Sequence, residues 1–507
     1  MAQFTSLEWV EADMNSRRKF MNGLAAASAV AVFPGSLSSM VFGVPAPELF
    51  SLEASDPWGQ VPEILKRIKP PTFSKRDFLI TRFGAFGDGT RDSTDAFRQA
   101  IIACNRAGGG RVVVPEGSFL TGAIHLMSNV NLHLAEGSTI TFSHDSRKYL
   151  PVVFSRWEGV ELMNYSPFIY AFGQRNIAIT GKGILDGQAN AETWWPWIGR
   201  AEYGWKPGQP SARDDRPKLL AMAERNVPVS ERVFGAGHYL RPQFIQPYRC
   251  QNVLIEGVTI KNSPMWEIHP VLCQNVIVRK VNISSHGPNN DGCDPESCRD
   301  VLIEDCVFDT GDDCIAIKSG RNADGRRLHT PSENLIIQGC QMKDGHGGVT
   351  IGSEISGGVR NVFAQDCVMS SPKLDRALRI KNNAMRGGLI ENIHMRNIDV
   401  GEVSEAVIAI DFYYEEAAAG SFTPIVRNVD VRNLRSSKSK YALYLRGFKN
   451  APITDIRLEH CTFDGVAQPN LVENVERLVF HDVRINGQER PASGLAARAL
   501  SETAKTA

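Results

Sequence analysis

The sequence predicts an all-β solenoid of short parallel strands, and three observations carry that prediction. One pattern returns from Asn176 onward: a polar pair, alternating aliphatics, a second short alternating run and a turn. Copies begin at Arg175-Asn176-Ile177, Gln251-Asn252-Val253, Gln274-Asn275-Val276 and Arg299-Asp300-Val301, then at Glu333-Asn334, Arg360-Asn361, Glu391-Asn392 and Arg427-Asn428. Weaker copies start at Thr454-Asp455 and Glu476-Arg477. The second observation is spacing: repeats of roughly 22 to 36 residues with period-two alternation belong to a β solenoid and not to a helical array. The third is the filling. Val, Ile and Cys occupy the inward positions, whereas a leucine-rich repeat would show a regular leucine framework. One rung has too little apolar surface to fold alone, so the rungs must stack about 4.8 Å apart as a single domain.

The elements follow in chain order. Ser16-Arg17-Arg18-Lys19-Phe20 precedes a short, weakly apolar stretch from Gly23 to Phe33, too short to span a bilayer stably. Paired arginines in this setting resemble a twin-arginine export signal, with Met14 as an alternative start. Residues 1–43 are therefore expected to be an export segment, and the Pro-containing stretch 44–74 a linker. The solenoid is expected over 75–490. At its entrance, Asp92-Ser93-Thr94-Asp95 before Ala96 to Ile102 predicts an N-capped amphipathic helix ending near Gly108-Gly109-Gly110, which would cover the first open strand edge. Residues 188–240 break the rhythm and are rich in Trp, Pro and charge, as expected of an excursion beside a functional groove. The Ala-rich tail, 491–507, is expected to be disordered.

The charge count excludes some partners. Lys plus Arg number 56, equal to Asp plus Glu, and without a long basic run nothing points to nucleic acid or to a membrane in the mature form. An anionic ligand must be met locally. Ten cysteines in an exported chain raise the question of disulfides. Because Cys250, Cys273, Cys306, Cys340 and Cys367 recur within the repeats, they read as small core residues, with Cys293 and Cys298 as a candidate pair. No C-x-x-C zinc pattern occurs, and no metal is expected.

The chemistry-bearing residues share one phase. Trp266 and His269 follow Asn252, Asn289-Asn290-Asp291-Gly292 follows Asn275, Gly311-Asp312-Asp313 follows Asp300, and Gly345-His346-Gly347 follows Asn334. Arg379-Ile380-Lys381 follows Asn361 similarly, and Tyr413-Tyr414 follows Asn392 a little later. In a solenoid, equal phase means one face. Taken singly these are ordinary turns or solvated strand faces; together they form a column of acids, a histidine, cations and aromatics. Carboxylates that close raise one pKa, which gives a general acid beside an ionised base, the pair that glycoside hydrolysis needs. Arg379 and Lys381 would then hold a substrate carboxylate, as on a uronic acid. Arg156-Trp157-Glu158-Gly159 and Trp194-Trp195-Pro196-Trp197 are further groove candidates, and Glu267, His269 and Lys318 are secondary ones.

The motifs N-x-D-G, G-D-D-C, G-H-G and R-I-K in this order resemble the polygalacturonases of glycoside hydrolase family 28, and the likeness covers most of the chain. The entry segments Phe83 to Thr90 and Gly108 to Pro115 resemble those of pectin-degrading β-helices generally. The resemblance implies a right-handed parallel β-helix and an inverting, metal-free and cofactor-free hydrolysis of α-linked galacturonate in pectin. It implies Asp312 as general acid, Asp291 and Asp313 as the groups that activate water, and His346 as the residue that tunes the acid. Asn289 matches the N-x-D, Arg379 and Lys381 the carboxylate site, and Tyr414 or Tyr413 the tyrosine position; Arg156 and Trp157 join the substrate-binding candidates. Asn290, where many members carry Thr, and the Pro295-Glu296-Ser297 continuation resemble bacterial, exo-acting members. The expected protein is a monomer, periplasmic or secreted. The alternatives are a pectin lyase or rhamnogalacturonan hydrolase on this fold, and a non-catalytic polysaccharide-binding β-helix.

Overall fold

A computed structural model describes residues 56–491, which form a parallel β-helix. The export segment and all but the first residue of the predicted tail lie outside the described residues. The predicted rung starts stack in one parallel register: Ile177, Val253, Val276, Val301, Leu335, Val362, Ile393, Val429, Ile456 and Leu478 pair in succession. These residues point inward, and the first nine are buried in the main core.

The polar residue before each of them has a structural cause. Asn176, Asn252, Asn275, Asp300, Asn334, Asn361, Asn392, Asn428, Asp455 and Arg477 all sit at φ between 52° and 60°, in the left-handed region that Asn and Asp tolerate best among residues with a Cβ. Their amides also bond from rung to rung. Asn252 donates to Asn176 at 2.8 Å, Asn275 to Asn252 at 2.8 Å, Asn361 to Asn334 at 3.1 Å and Asn392 to Asn361 at 3.0 Å. The repeat signature is thus a turn that places each strand and a polar ladder that satisfies itself.

Two helices cover the strands, one where the sequence predicts it. Thr94–Arg106 buries Ala96, Phe97, Ala100, Ile101 and Cys104 against the first rungs, and Asp92 accepts the Thr94 N–H at 2.8 Å. The second corrects the linker expectation. Within 44–74, Gln60–Arg67 is helical and, with Trp58 and Ile68, buries Val61 and Ile64 on Ala178, Leu254, Ile277, Leu302, Ile336 and Phe363. Those six are the outward residues of stacked strands, where strict alternation would demand polar side chains; they are apolar because this helix shields them.

All ten cysteines are free and buried, so Cys293 and Cys298 are not paired. Cys293 takes the rung position that Ile268 and Ile315 hold above and below it, and Cys298 stacks with Cys273; both serve as core residues. At the far end Gln488–Arg490 folds back antiparallel on the strand Val475–Ile485 and ends the parallel stacking. Two insertions leave the helix on one side. The hairpin Val153–Trp157 and Val160–Asn164 pairs through Met163 with Val233 of the 188–240 excursion. That excursion carries the helix Ala212–Glu224, with Ser211 accepting the Arg213 N–H at its start. No helix among the described residues is long and apolar enough to cross a membrane.

Candidate active site

Between the insertions and the stacked rungs lies a cleft of about 640 Å³, lined by Asn289, Asp291, Asp312, His346, Arg379, Lys381 and Tyr414 together with residues of the insertions. Its floor is built from the short strands Ile315–Ile317, Val349–Ile351, Arg376–Lys381 and Ala406–Asp411, which pair in parallel. Strand alternation does the placing. Ile380 points into the core at 0% exposure, so Arg379 and Lys381 on either side both face outward. One rung earlier, the Gly292 N–H donates to the Asp313 carbonyl at 3.0 Å and the Cys314 N–H to the Gly347 carbonyl at 2.8 Å, which sets Asp291, Asp313 and the G-H-G turn side by side. Gly347 has to be glycine: a Cβ there would meet Asp313 Oδ1 at 2.9 Å and Thr350 Oγ1 at 2.2 Å.

Carboxyl oxygens of Asp291, Asp312 and Asp313 all lie within 4.8 Å of one another. Each acid has its own cation. Asp313 is wholly buried and accepts from Arg379 at 3.1 Å, Lys381 at 2.7 Å and Thr350 at 2.9 Å. Burial alone would raise its pKa, but Lys381 and Arg379 outweigh it and hold the carboxyl far below the usual range. Asp312 lies 3.0 Å from His346 Nδ1. Burial again works upward and the imidazole hydrogen bond overcomes it, so Asp312 is held low, while the same bond pushes His346 up to about 9. Asp291 meets Lys318 at 3.5 Å.

Crowding does raise one carboxyl, as the sequence reading requires. Burial, with Asp312 and Asp294 next, pushes Asp291 well above the usual range. The sequence reading tied a raised pKa to a general acid without assigning it to one aspartate; here it falls on Asp291, because His346 compensates Asp312 and only Lys318 lies beside Asp291. Asp312 and His346 are better treated as one unit that carries one proton.

The remaining candidates divide. Asn289 accepts from Arg241 at 2.8 Å at the cleft wall, and the adjacent Asn290 is a structural staple, accepting from Ser285 and Gly287 and donating to Ser263 and Met265. Tyr414 lies in the cleft with the Lys381 ammonium 5.3 Å from its ring. Tyr413 points away, edge-to-face with Phe448 and beneath Arg446, so it is removed from the site. Trp157 lines the cleft, but Arg156 does not: it is fully buried, 3.3 Å from Glu296, since alternation along its strand turns it inward. Trp194 and Trp197 pack on each other and on Tyr149, Tyr165 and Tyr239, and Trp195 donates to the Ser263 carbonyl, so these tryptophans anchor the excursion and do not form a sugar platform. Glu267 and His269 are buried behind the floor, His269 2.8 Å from Glu296.

The sequence reading missed a charged chain at one side of the cleft. Arg216 of the excursion reaches Glu158 at 2.6 Å and Glu415 at 3.9 Å, and Arg321 contacts Glu354 at 3.3 Å and Glu415 at 3.0 Å. These groups come from five separate segments, and apart from Glu158 no local motif marks them. Of the secondary candidates Lys318 does line the cleft, since Ile317-Lys318 repeats the inward-outward pattern of Ile380-Lys381.

A solenoid cleft with three clustered acids, an imidazole and paired cations on one wall is the site of a polysaccharide-cleaving hydrolase. The comparisons with known proteins agree. Residues 235–481 match the model of glycosyl hydrolases family 28. The crystal structure of a hyperthermoactive exopolygalacturonase from Thermotoga maritima is similar at 50% identity and a TM-score of 0.83, covering 85% of this chain and 96% of that one. A probable polygalacturonase of Vitis vinifera is 27% identical over 78% of this chain and 75% of its own length. An exo-poly-alpha-D-galacturonosidase of Dickeya chrysanthemi is 28% identical over 73% of this chain and 64% of its own length. The chain belongs to glycoside hydrolase family 28.

Proposed function

We propose that this glycoside hydrolase removes galacturonate units from the end of an α-linked acidic polysaccharide of the pectin type. The observation that carries the reading is the wall of the cleft: three carboxyls, each compensated by a separate cation, beside Arg379 and Lys381 with donors directed into the same space. Arg379 and Lys381 share the single charge of Asp313, so two cations face one carboxylate there, and a uronate supplies the second anion that a neutral sugar lacks. The exo reading rests on the excursion, which is tied to the opposite loop through Arg216, Glu158 and Glu415 and so bounds the cleft on that side. It is also supported by the exo-acting relatives. The twin-arginine-type segment at Arg17 and Arg18 supports action outside the cytoplasm.

In this reading the Asp312–His346 unit supplies the proton to the leaving glycosidic oxygen, because Asp312 is the most exposed of the three carboxyls. Asp291 takes a proton from the attacking water; a carboxylate with a raised pKa is a stronger acceptor once ionised. Asp313 is wholly enclosed and cannot reach a sugar carbon, so it holds Arg379 and Lys381 in place. The oxygens lie closer than the roughly 6.5–9.5 Å that separates the carboxyls of most inverting enzymes. Acid and base therefore share one wall, and the water enters beside Asp291.

Digestion of tri-galacturonate with time-resolved proton NMR tests this. The expected result is release of free galacturonate from the non-reducing end, with the β-anomer first and no unsaturated product. Internal cleavage of long polymer overturns the exo reading, the α-anomer first overturns the single displacement, and an unsaturated product overturns hydrolysis.

A further inference from the structure

Lys318 is a buried ammonium that binds nothing but acids, a carbonyl and an aromatic face. Its Nζ lies 3.5 Å from Asp291, 3.4 Å from Asp294 and 3.3 Å from Glu354, 3.5 Å from the Gly352 carbonyl, and 4.2 Å from the centre of the Trp266 ring. Its side chain is 3% exposed, yet it reaches the cleft surface. Each other cation in the column has another task. Arg379 and Lys381 bond Asp313, and His346 bonds Asp312. Asp291 has no ion pair with any of them, and its Oδ1 is buried without a hydrogen-bond partner.

We propose that Lys318 is a positioning residue for the hydrolysis, the cation that keeps Asp291 a carboxylate aimed at the attacking water. The proposal deepens the reading above and rests on it. Asp291 is faced by Asp312, Asp313, Asp294 and Glu267, four acids, against Lys318. Lys318 is itself faced by Glu354, Asp294 and Asp313 as well as Asp291, with Lys381 and His269 as its nearby basic neighbours. Burial and its acidic neighbours raise Asp291 even with Lys318 in place; without the ammonium it would be one buried acid among five and would hold its proton to still higher pH. Trp266 limits water access to one side of the ammonium, which strengthens its field at Asp291.

The test is the pH profile of kcat/KM on tri-galacturonate for Lys318→Met, Lys318→Arg and Asp294→Asn, each checked for fold by circular dichroism. The acidic limb reports the base of the free enzyme. Lys318→Met should lose about 100-fold in kcat at the wild-type optimum with KM little changed, and its acidic limb should move up by about one unit or more. Lys318→Arg should return the limb toward wild type. Asp294→Asn removes a competing acid and should move the limb down, and it answers the question even if Lys318→Met does not fold. An unmoved limb in Asp294→Asn or in folded Lys318→Met overturns the proposal, as does a raised KM at unchanged kcat, which would make Lys318 a substrate ligand. Asp291→Asn separates the two levels: if it retains wild-type activity, the assignment of Asp291 as base fails, and if it is inactive while the limbs stay still, only the role of Lys318 fails.

Discussion

Two columns run along this solenoid, and they solve the problem of buried polarity in opposite ways. Along the turn that starts each rung, like repeats on like: Asn252 and Asn275, then Asn361, Asn392 and Asn428, each donate to the asparagine of the preceding rung through a neutral amide. Along the cleft, each rung contributes something different, and Asp291, Asp312 and Asp313 are each matched to a cation from another rung, one or two rungs away. A neutral ladder can repeat indefinitely because an amide is both donor and acceptor. A charged column cannot, since like charges at rung spacing repel, and so it must be composed residue by residue. Stability resides in the repeating column and reactivity in the varied one.

The sharpest way to break that division is to strike the varied column. Asp312→Asn keeps the shape of the side chain and removes its proton, so kcat should fall by about 10³-fold or more while the chain still folds, less stable only by the loss of its pairing with His346. Reducing-end assays and guanidinium titration of the same preparation decide it; retained activity would remove Asp312 from the reaction. Arg379→Lys should come next. It keeps the charge beside Asp313 but loses the planar fork, so KM for galacturonate oligomers should rise about tenfold with a smaller change in kcat.

His346→Gln tests whether Asp312 and the imidazole act as one proton-carrying unit. With His346 titrating near 9, the unit keeps its proton across neutral pH, and the alkaline limb of activity should lie on that side. In the glutamine variant the proton must sit on Asp312 alone, whose ordinary carboxyl range is far lower. The alkaline limb should therefore move down by several units, with activity surviving only at acidic pH. Stability carries the same sign. The folded pKa of His346 lies above its unfolded value near 6.5, so the stability it adds is complete below about pH 6.5 and is lost as pH rises through about 9. Asp312, held low in the folded state, contributes above the unfolded carboxyl range and loses its contribution in acid.

How much of this could be read from the chain depended on whether a feature was repeated. The rung starts were legible because ten positions obey one rule, and the column of Asp291, Asp312, Asp313, His346, Arg379 and Lys381 was legible from shared phase. The helix Gln60–Arg67 was missed because nearby prolines looked like a linker, although Trp58, Val61, Ile64 and Ile68 carry helical spacing. Of the adjacent candidates Arg156 and Trp157, strand alternation sends only Trp157 to the cleft, and of Tyr413 and Tyr414 the turn after Asp411 sends only Tyr414 there. The identity of the raised carboxyl, Asp291, and the chain from Arg216 to Glu415 depend on distances between remote segments, for which no local pattern exists.

The smallest expected effect falls on the repeating column and separates its two ingredients. Asn361 sits at φ 57°, donates to Asn334 at 3.1 Å and accepts from Asn392 at 3.0 Å. Asn361→Ala loses both amide bonds and must also hold a Cβ in the left-handed region without the local compensation Asn provides, a combined loss of about 2 to 3 kcal/mol. Asn361→Gly loses the same bonds but adopts that φ freely, at the expense of a more flexible unfolded chain, and should be less destabilised by about 1 kcal/mol or less. Guanidinium midpoints of the two variants should differ in that order while kcat/KM per folded molecule remains at wild type. If alanine and glycine proved equal, the turn would be governed by the amide ladder alone. If either variant lost activity without losing stability, the two columns would be coupled, because a shift at the rung start would then be reaching the cleft through the strand Arg376–Lys381, one rung position further along the same coil.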